Sequence, residues 1–329
     1  MRYSARQRAA FLAAALAVGA TWAAPALAAD EPKWATTLLE DDVVAVGVIN
    51  LRQIDVPASV EAAQSLGIMG DAEAEQLLSG ARVAQQRLAQ LTQRGVERAY
   101  VLVRLADLTS GGSTWIVELA SDADGAGAAD LLKQQLEAAR AGGGLHDLGG
   151  MLPRELQVVA GVVAGAPSQE RLQQLREAHV AAVRDDARDA LAALADVDVG
   201  FVVFGDADSR RVLRETFPQL PAPFRAIDGR LLADGVRWAA VTASLAGNPP
   251  TVTIETADAA TAVALQDAAA QGVALLEALA QTAGEDANGP AAALREVAPL
   301  LRPTVDGTRL TLKLLDDEAE LNALRTIVA

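Results

Sequence analysis

The chain has no cysteine and only two histidines, His146 and His179. The first absence excludes disulfides, thiol nucleophiles and lipid attached at a cysteine. Two histidines far apart leave a zinc site of ordinary composition without donors. Aromatic residues make up 3% of the chain, so platforms for stacking sugars or bases are scarce. Basic residues are outnumbered, 28 Lys and Arg against 43 Asp and Glu. No basic stretch with interleaved aromatics offers itself to nucleic acid, and the acidic surplus repels it. The motif record is equally thin. There is no G-x-S-x-G elbow for a serine nucleophile, no G-x-x-x-x-G-K-[ST] loop for phosphates, and no G-x-G-x-x-G after a strand. A paired-carboxylate glycosidase needs two acids across a cleft flanked by aromatics. Beyond the first 28 residues the only tryptophans are Trp34, Trp115 and Trp238.

What is present begins with an export signal. Arg2, Arg6 and Arg8 precede an apolar run, Ala9 to Val18, and Pro25-Ala26-Leu27-Ala28 follows. This layout predicts a signal peptide over 1–28, cleaved after Ala28 with Ala29 the neighbouring choice, and a periplasmic or secreted product; an uncleaved membrane anchor is the alternative. Gln7 separates Arg6 from Arg8, so no twin-arginine pair exists. Removing residues 1–28 leaves 25 basic and 43 acidic side chains. No second apolar run reaches spanning length, so stable membrane insertion after cleavage is not expected.

Residues 29–42 read as an N-terminal tether. Two α+β units are then expected, over 43–190 and 191–329. In the first, VVAVGVIN (Val43 to Asn50) is β-branched and apolar on both faces, which suits a buried strand. Helical rhythm runs from Asp71 to about Arg94 and ends at Gly95. A strand from Glu97 to Leu105, turn residues Thr109 to Gly112 and a strand from Thr114 to Ala120 read as a hairpin. A helix from Ala126 to Ala141, a glycine-rich loop and a strand from Leu156 to Val163 follow. Ser168 caps a helix with the stripe Leu172, Leu175, His179, Val183.

The second half repeats the rhythm. Val197 to Phe204 is a strand, a helix runs from Ser209 to Phe217, and Gly235 to Thr256 is a second hairpin. A helix from Asp258 to Gln281, a short one opened by Pro290, a strand from Thr308 to Leu315 and a helix from Asp317 to Ile327 complete it. Val48 matches Val203, Tyr100 matches Ala240, Glu118 matches Glu255 and Ser168 matches Asp317, which predicts a diverged duplication. The fold class expected is α+β: two tandem β-α-β-β-α-β, ferredoxin-like units with antiparallel sheets and helices on one face.

Few residues invite a chemical reading. Asp122, Asp124 and Gly127 fit positions 1, 3 and 6 of a calcium loop. Ala126 at position 5 and Lys133 at position 12 do not, and a capping Asp at a strand-to-helix turn accounts for the same residues. Asp185, Asp186 and Asp189, with Asp196 and Asp198 beyond, alternate with Arg184 and Arg188 as on a solvated helix face. Asp206 and Asp208 follow a strand end beside Arg210 and Arg211, where a helix cap is the simpler role. His146 lies beside Asp147 in the glycine loop, and His179 lies on an apolar stripe. Trp115 and Trp238 read as core or sheet-face residues. No catalytic, cofactor-binding or metal-ligating residue is assigned.

The run Thr37-Leu38-Leu39-Glu40-Asp41-Asp42 before VVAVGVIN resembles the opening of uncharacterised exported bacterial proteins of unknown function. In those, Leu-Leu-Pro-x-Asp precedes a buried strand and an α+β unit. Glu40 stands here at the proline position, and no such motif precedes Val197. The resemblance implies export and a repeated unit, and it brings no active site. The function expected is a non-enzymatic binding or structural protein of the bacterial cell envelope, without cofactor, whose partner is a protein or envelope component. A periplasmic carrier of lipid or another apolar ligand is the alternative, and a hydrolase of unrecognised type the third.

Overall fold

A strand such as VVAVGVIN, with no polar face, must be covered on both sides. The computed structural model describes residues 32, 34–65, 69–107, 112–141, 152–177, 185–205, 207–216, 228–243, 250–282 and 301–313. In chain order its elements are α1 (Ala35–Leu38), β1 (Val43–Asn50), α2 (Val56–Ser65), α3 (Asp71–Gln93), β2 (Val96–Arg104), β3 (Thr114–Leu119) and α4 (Gly125–Ala141). There follow β4 (Glu155–Val159), β5 (Val162–Ala166), α5 (Gln169–Glu177), α6 (Asp185–Ala192), β6 (Val199–Phe204) and α7 (Ala207–Thr216). The remainder are α8 (Gly229–Gly235), β7 (Val236–Ala243), β8 (Thr251–Thr256), α9 (Ala259–Thr282), β9 (Thr304–Asp306) and β10 (Arg309–Lys313). The fold is α+β with antiparallel pairing throughout these strands.

Two compact units divide the chain, one built on Pro25–Val56 and Gly80–Asp206, the other on Pro57–Ser79 and Ala207–Ala329. In the first, the strand order is β4-β5-β3-β2-β1-β6. Strand β6 therefore lies beside β1, with Val48 opposite Gly200 and Val46 opposite Val202. Sequence reading places this strand at the head of the second half. In the other unit, β7, β8, β10 and β9 lie side by side.

The strand order differs from the ferredoxin-like expectation, in which the first and third strands would be parallel neighbours. Here β1 and β2 are antiparallel neighbours. The reason lies in the connection. The chain between β1 and β2 carries two helices, α2 and α3, where the ferredoxin-like plan has one. A second difference falls at residues 156–163, read as one strand. Ala160 and Gly161 both take positive φ, 50° and 81°, and fold the segment into the β4–β5 hairpin, with Val159 opposite Val162. Two left-handed residues make a type I′ turn, the form that matches strand twist.

Helices lie on both faces of the first sheet, not on one. Paired residues in antiparallel strands share a face. On one face, Leu91, Val96, Ala99, Val117 and Val163 form a core with Ala128 of α4. On the other, Val46, Val48, Tyr100, Leu102 and Ile116 are all buried. There Trp34 packs on Tyr100 with ring centroids 4.8 Å apart, and α5 and α6 bring Leu172, Leu175 and Leu191 inside. Leu194, just past α6, reaches Gly200, whose missing side chain would place a Cβ 2.7 Å from the Leu194 Cδ2.

The segment read as a tether thus contributes to the core. Trp34, Ala35, Leu38 and Leu39 are buried. In the other unit, α9 supplies Ala262 and Leu265, which meet Leu310 with Ile254 and Leu231 at the margin.

The two hairpins share a detail. A β-bulge follows Val96 in β2, and Arg98 then opposes Glu118. Another follows Val236 in β7, and Trp238 then opposes Glu255. Beside each, a backbone bond closes the ladder: Ala120 N–H donates to Gly95 O at 2.7 Å, and Ala257 N–H to Gly235 O at 2.8 Å.

Candidate functional site

Where α4 stops covering its face of the first sheet, an apolar surface begins. Cross-strand register puts Ala45, Gly47 and Ile49 of β1, Val101 and Val103 of β2, and Val199, Phe201 and Val203 of β6 on that face. None is polar. Ala45 is buried, while Phe201 is 43% and Val203 46% exposed. Three strands at their usual spacing and rise give an area of about 10 Å by 14 Å. Gly47 opposes Phe201, and a Cβ on it would sit 3.4 Å from the Phe201 ring. Glycine here lets the ring lie on the sheet. Sequence reading misses this surface because VGFVVF looks as apolar as VVAVGVIN; only the pairing shows that Val202 and Phe204 turn inward and Phe201 and Val203 outward.

A partly buried charge cluster lies at one end of β1 and β2. Arg171 of α5, 5% exposed, donates Nη1–H to Glu40 Oε1 at 2.9 Å. Its Nη2 bonds Glu40 Oε2, and its Nε reaches Thr114 Oγ1 at 3.4 Å. Next to it, Arg104 donates to both carboxylate oxygens of Asp107, at 3.1 and 2.8 Å, and lies 3.8 Å from Asp42. Those hydrogen bonds hold the Arg104 guanidinium above its ordinary pKa. Burial raises the Asp42 carboxyl above the usual range, against the pull of Arg104. Leu38, Leu39, Glu40 and Asp42, the residues of the resemblance, thus have local structural jobs. Two leucines anchor α1, and Glu40 binds it to α5, with Asp42 close to Arg104 of β2.

Other candidate residues are placed as follows. Asp124 caps α4: its Oδ1 accepts from Ala126 N–H at 3.2 Å. A Cβ on Gly127 would come 2.5 Å from Asp124 Oδ2 and 3.2 Å from Arg94, so the carboxylate is turned onto the helix start. Asp122 is exposed. Among the described residues no three His, Asp or Glu side chains gather as a metal site. Asp185 pairs with Arg188 at 3.0 Å on an exposed helix face, but Asp198 is buried at 2% exposure, which corrects its reading as solvated. Asp208 pairs with Arg211 at 3.0 Å on the exposed start of α7. Arg210 instead reaches the carbonyl of Ala233 at 3.2 Å. Trp115 is half-buried and donates to Ser113 Oγ at 3.0 Å, whereas Trp238 is buried with the Arg309 guanidinium 5.8 Å from its ring centroid. His146, His179 and Asp206 lie outside the described residues.

In the other unit an open cleft of about 550 Å³ is lined by Asp228, Arg230, Asp234, Asp258 and Thr261. Two of its acids cap helices. Asp228 accepts from Arg230 N–H at 2.9 Å, and Asp258 from Thr261 N–H at 2.7 Å. The bonds from Thr261 hold the Asp258 carboxyl below the usual range, where it accepts hydrogen bonds and is no ready proton donor. Among the described residues no helix is long and apolar enough to cross a membrane.

No family model matches the chain, and no curated protein matches it in sequence. A solved structure, crystal form IV of TP0453, matches at 9% identity and a TM-score of 0.32, over 91% of this chain and 97% of that one. At that score the likeness carries no argument about fold or role.

Proposed function

We propose that this chain is an exported, non-enzymatic binding protein of the bacterial cell envelope, built from two diverged copies of one α+β unit. The observation that carries binding is the exposure of Phe201 and Val203 on a wholly apolar stretch of sheet face, next to the part of that face that α4 covers. Its area, about 140 Å², is within what a monomer commonly exposes, so the reading rests on the patch being contiguous and free of polar side chains. Export is supported by the basic start, apolar run and Pro-Ala-Leu-Ala of residues 1–28. The opening that resembles uncharacterised exported bacterial proteins supports export as well.

Duplication is supported by the order of elements and by register. A strand, two helices, a hairpin, a helix and a second hairpin occur from β1 to β5 and again, after α5 and α6, from β6 to β10. Tyr100 opposes Ile116 as Ala240 opposes Thr253, and a bulge precedes both pairs by the same interval. Bulges persist within families because they re-aim whole strands.

A photo-crosslinking residue at Val203, with one at exposed Val212 as control, tests the binding reading in cells. A discrete protein adduct at position 203 alone is expected. Absence of any adduct, or lipid extracted in stoichiometric amount from the purified protein, overturns it, and the second result establishes the apolar-ligand carrier instead.

A further inference from the structure

We propose that the outer edge of β4 is a strand-addition site for an extended peptide segment of a partner protein. Among the described residues β4 is the terminal strand of its sheet. Its sequence, ELQVV, carries neither the lysine, the proline nor the bulge with which natural edges block pairing. Its one charge, Glu155, is engaged by Gln169 at 2.6 Å.

The hairpin geometry defines which backbone groups are on offer. Ala160 and Gly161 form a two-residue turn closed by Val159 and Val162. Such a closing pair exchanges both hydrogen bonds, and bonded pairs then alternate along the ladder. Glu155, Gln157 and Val159 therefore bond inward to β5. Leu156 and Val158 turn their N–H and C=O groups outward, where a strand laid alongside can make up to four bonds.

The surroundings define the peptide. Between β4 and α5 lies a groove of about 590 Å³, lined by Gln157, Gln169, Gln173, Arg176 and Glu177. Three of the five are amides, which donate and accept, and Arg176 and Glu177 carry opposite charges, so side chains on this side of the peptide are polar. On the opposite face Val158 is 41% exposed beside Gly125 at the start of α4. Alternate side chains on that side are apolar. An extended segment alternating apolar residues with Asn, Gln, Ser or Thr meets both conditions. Main-chain pairing supplies the affinity and the two faces supply the selectivity.

Panning a phage-displayed random heptapeptide library against the full exported chain, with the Val158→Pro variant as counter-selection, tests this. Proline removes the outward N–H and leaves the bonds to β5 in place, whereas Val158→Thr keeps it. Enriched peptides with the alternating pattern are expected. Synthesised, they bind Val158→Pro at least tenfold more weakly than wild type and Val158→Thr within twofold. If Val158→Pro does not fold, amide hydrogen exchange at Leu156 and Val158 in the wild type decides, and both should slow when an enriched peptide is added. No patterned enrichment, equal binding by Val158→Pro, or unchanged exchange at both amides overturns the proposal.

Discussion

Glu40→Gln isolates the Arg171 guanidinium. In the native fold that side chain is 6% exposed and its partner Glu40 22%. Two guanidinium nitrogens bond the carboxylate, and the third reaches only a hydroxyl at 3.4 Å. Neutralising Glu40 leaves a cation that water does not reach. Removing one partner of a buried pair costs about 3–5 kcal/mol, and the partial exposure of Glu40 together with the remaining amide acceptor brings this to about 2–3 kcal/mol. At a urea slope of about 2 kcal/mol per M, the midpoint falls by about 1–1.5 M. Arg171→Met is expected to cost less, because the carboxylate left behind, unlike the guanidinium, is partly reached by solvent. The double variant should recover about 1 kcal/mol or more relative to the sum of the singles. Urea unfolding followed by tryptophan fluorescence reports this directly, since Trp34 precedes α1, next to Glu40. A midpoint shift below about 0.3 M for Glu40→Gln, or simple additivity in the double variant, refutes the assignment of a desolvated pair.

Four further outcomes are expected. Burial, then Glu118, pushes the Tyr100 hydroxyl up to about 12 from 10.0; the unfolded chain ionises first, so about 2–3 kcal/mol of stability is lost as pH rises from 10 to 12. Tyr100→Phe should lack that slope in pH-dependent melts. Asp42 is raised above 3.8, so the folded state holds its proton more tightly and gains stability as pH falls through the folded value. Asp42→Asn should therefore melt higher than wild type at pH 7, with the advantage gone below pH 3.8. Ala160 has φ 50° in an exposed turn, and Ala160→Gly should stabilise the protein by about 0.5–1 kcal/mol by calorimetry. Gly200→Ala drives a Cβ to within 2.7 Å of Leu194 and 3.0 Å of Val197, and a loss of about 1–3 kcal/mol is expected on chemical denaturation.

Much of the local structure is legible in the sequence. Gly95 and the turn residues after Leu105 mark the first hairpin, and helical periodicity marks α3 and α9 within a residue or two of their ends. These signals are local, carried by backbone freedom and by a period within one segment. Strand order is different in kind. Nothing within VDVGFVVF says that it pairs with β1, because an apolar strand pairs equally well with several neighbours; Gly200 fitting under Leu194 becomes visible only in three dimensions. The type I′ turn at Ala160-Gly161 is hidden for another reason: alanine rarely takes positive φ, so a valine-rich run reads as continuous. The Glu40–Arg171 pair joins positions 131 residues apart, beyond any motif, and a short apolar helix before it reads as linker. The exposed face at Phe201 falls between these cases. An apolar run without a polar side signals two-sided burial or an open patch, and composition alone does not choose.

The pairing of β1 with β6 also has a consequence in time. Strand β1 leaves the ribosome, and any export channel, about 150 residues ahead of β6, roughly 8–30 s at ~5–20 residues per second. Strand β2 reaches β1 sooner and occupies one side. The other side waits, a run of VVAVGVIN with open backbone groups and no charge among its side chains. Such a segment is prone to aggregate for as long as it is unpaired. The interval of greatest aggregation risk therefore lies between the emergence of residues 104 and 199, and stalled or truncated products ending in it are the ones expected to precipitate.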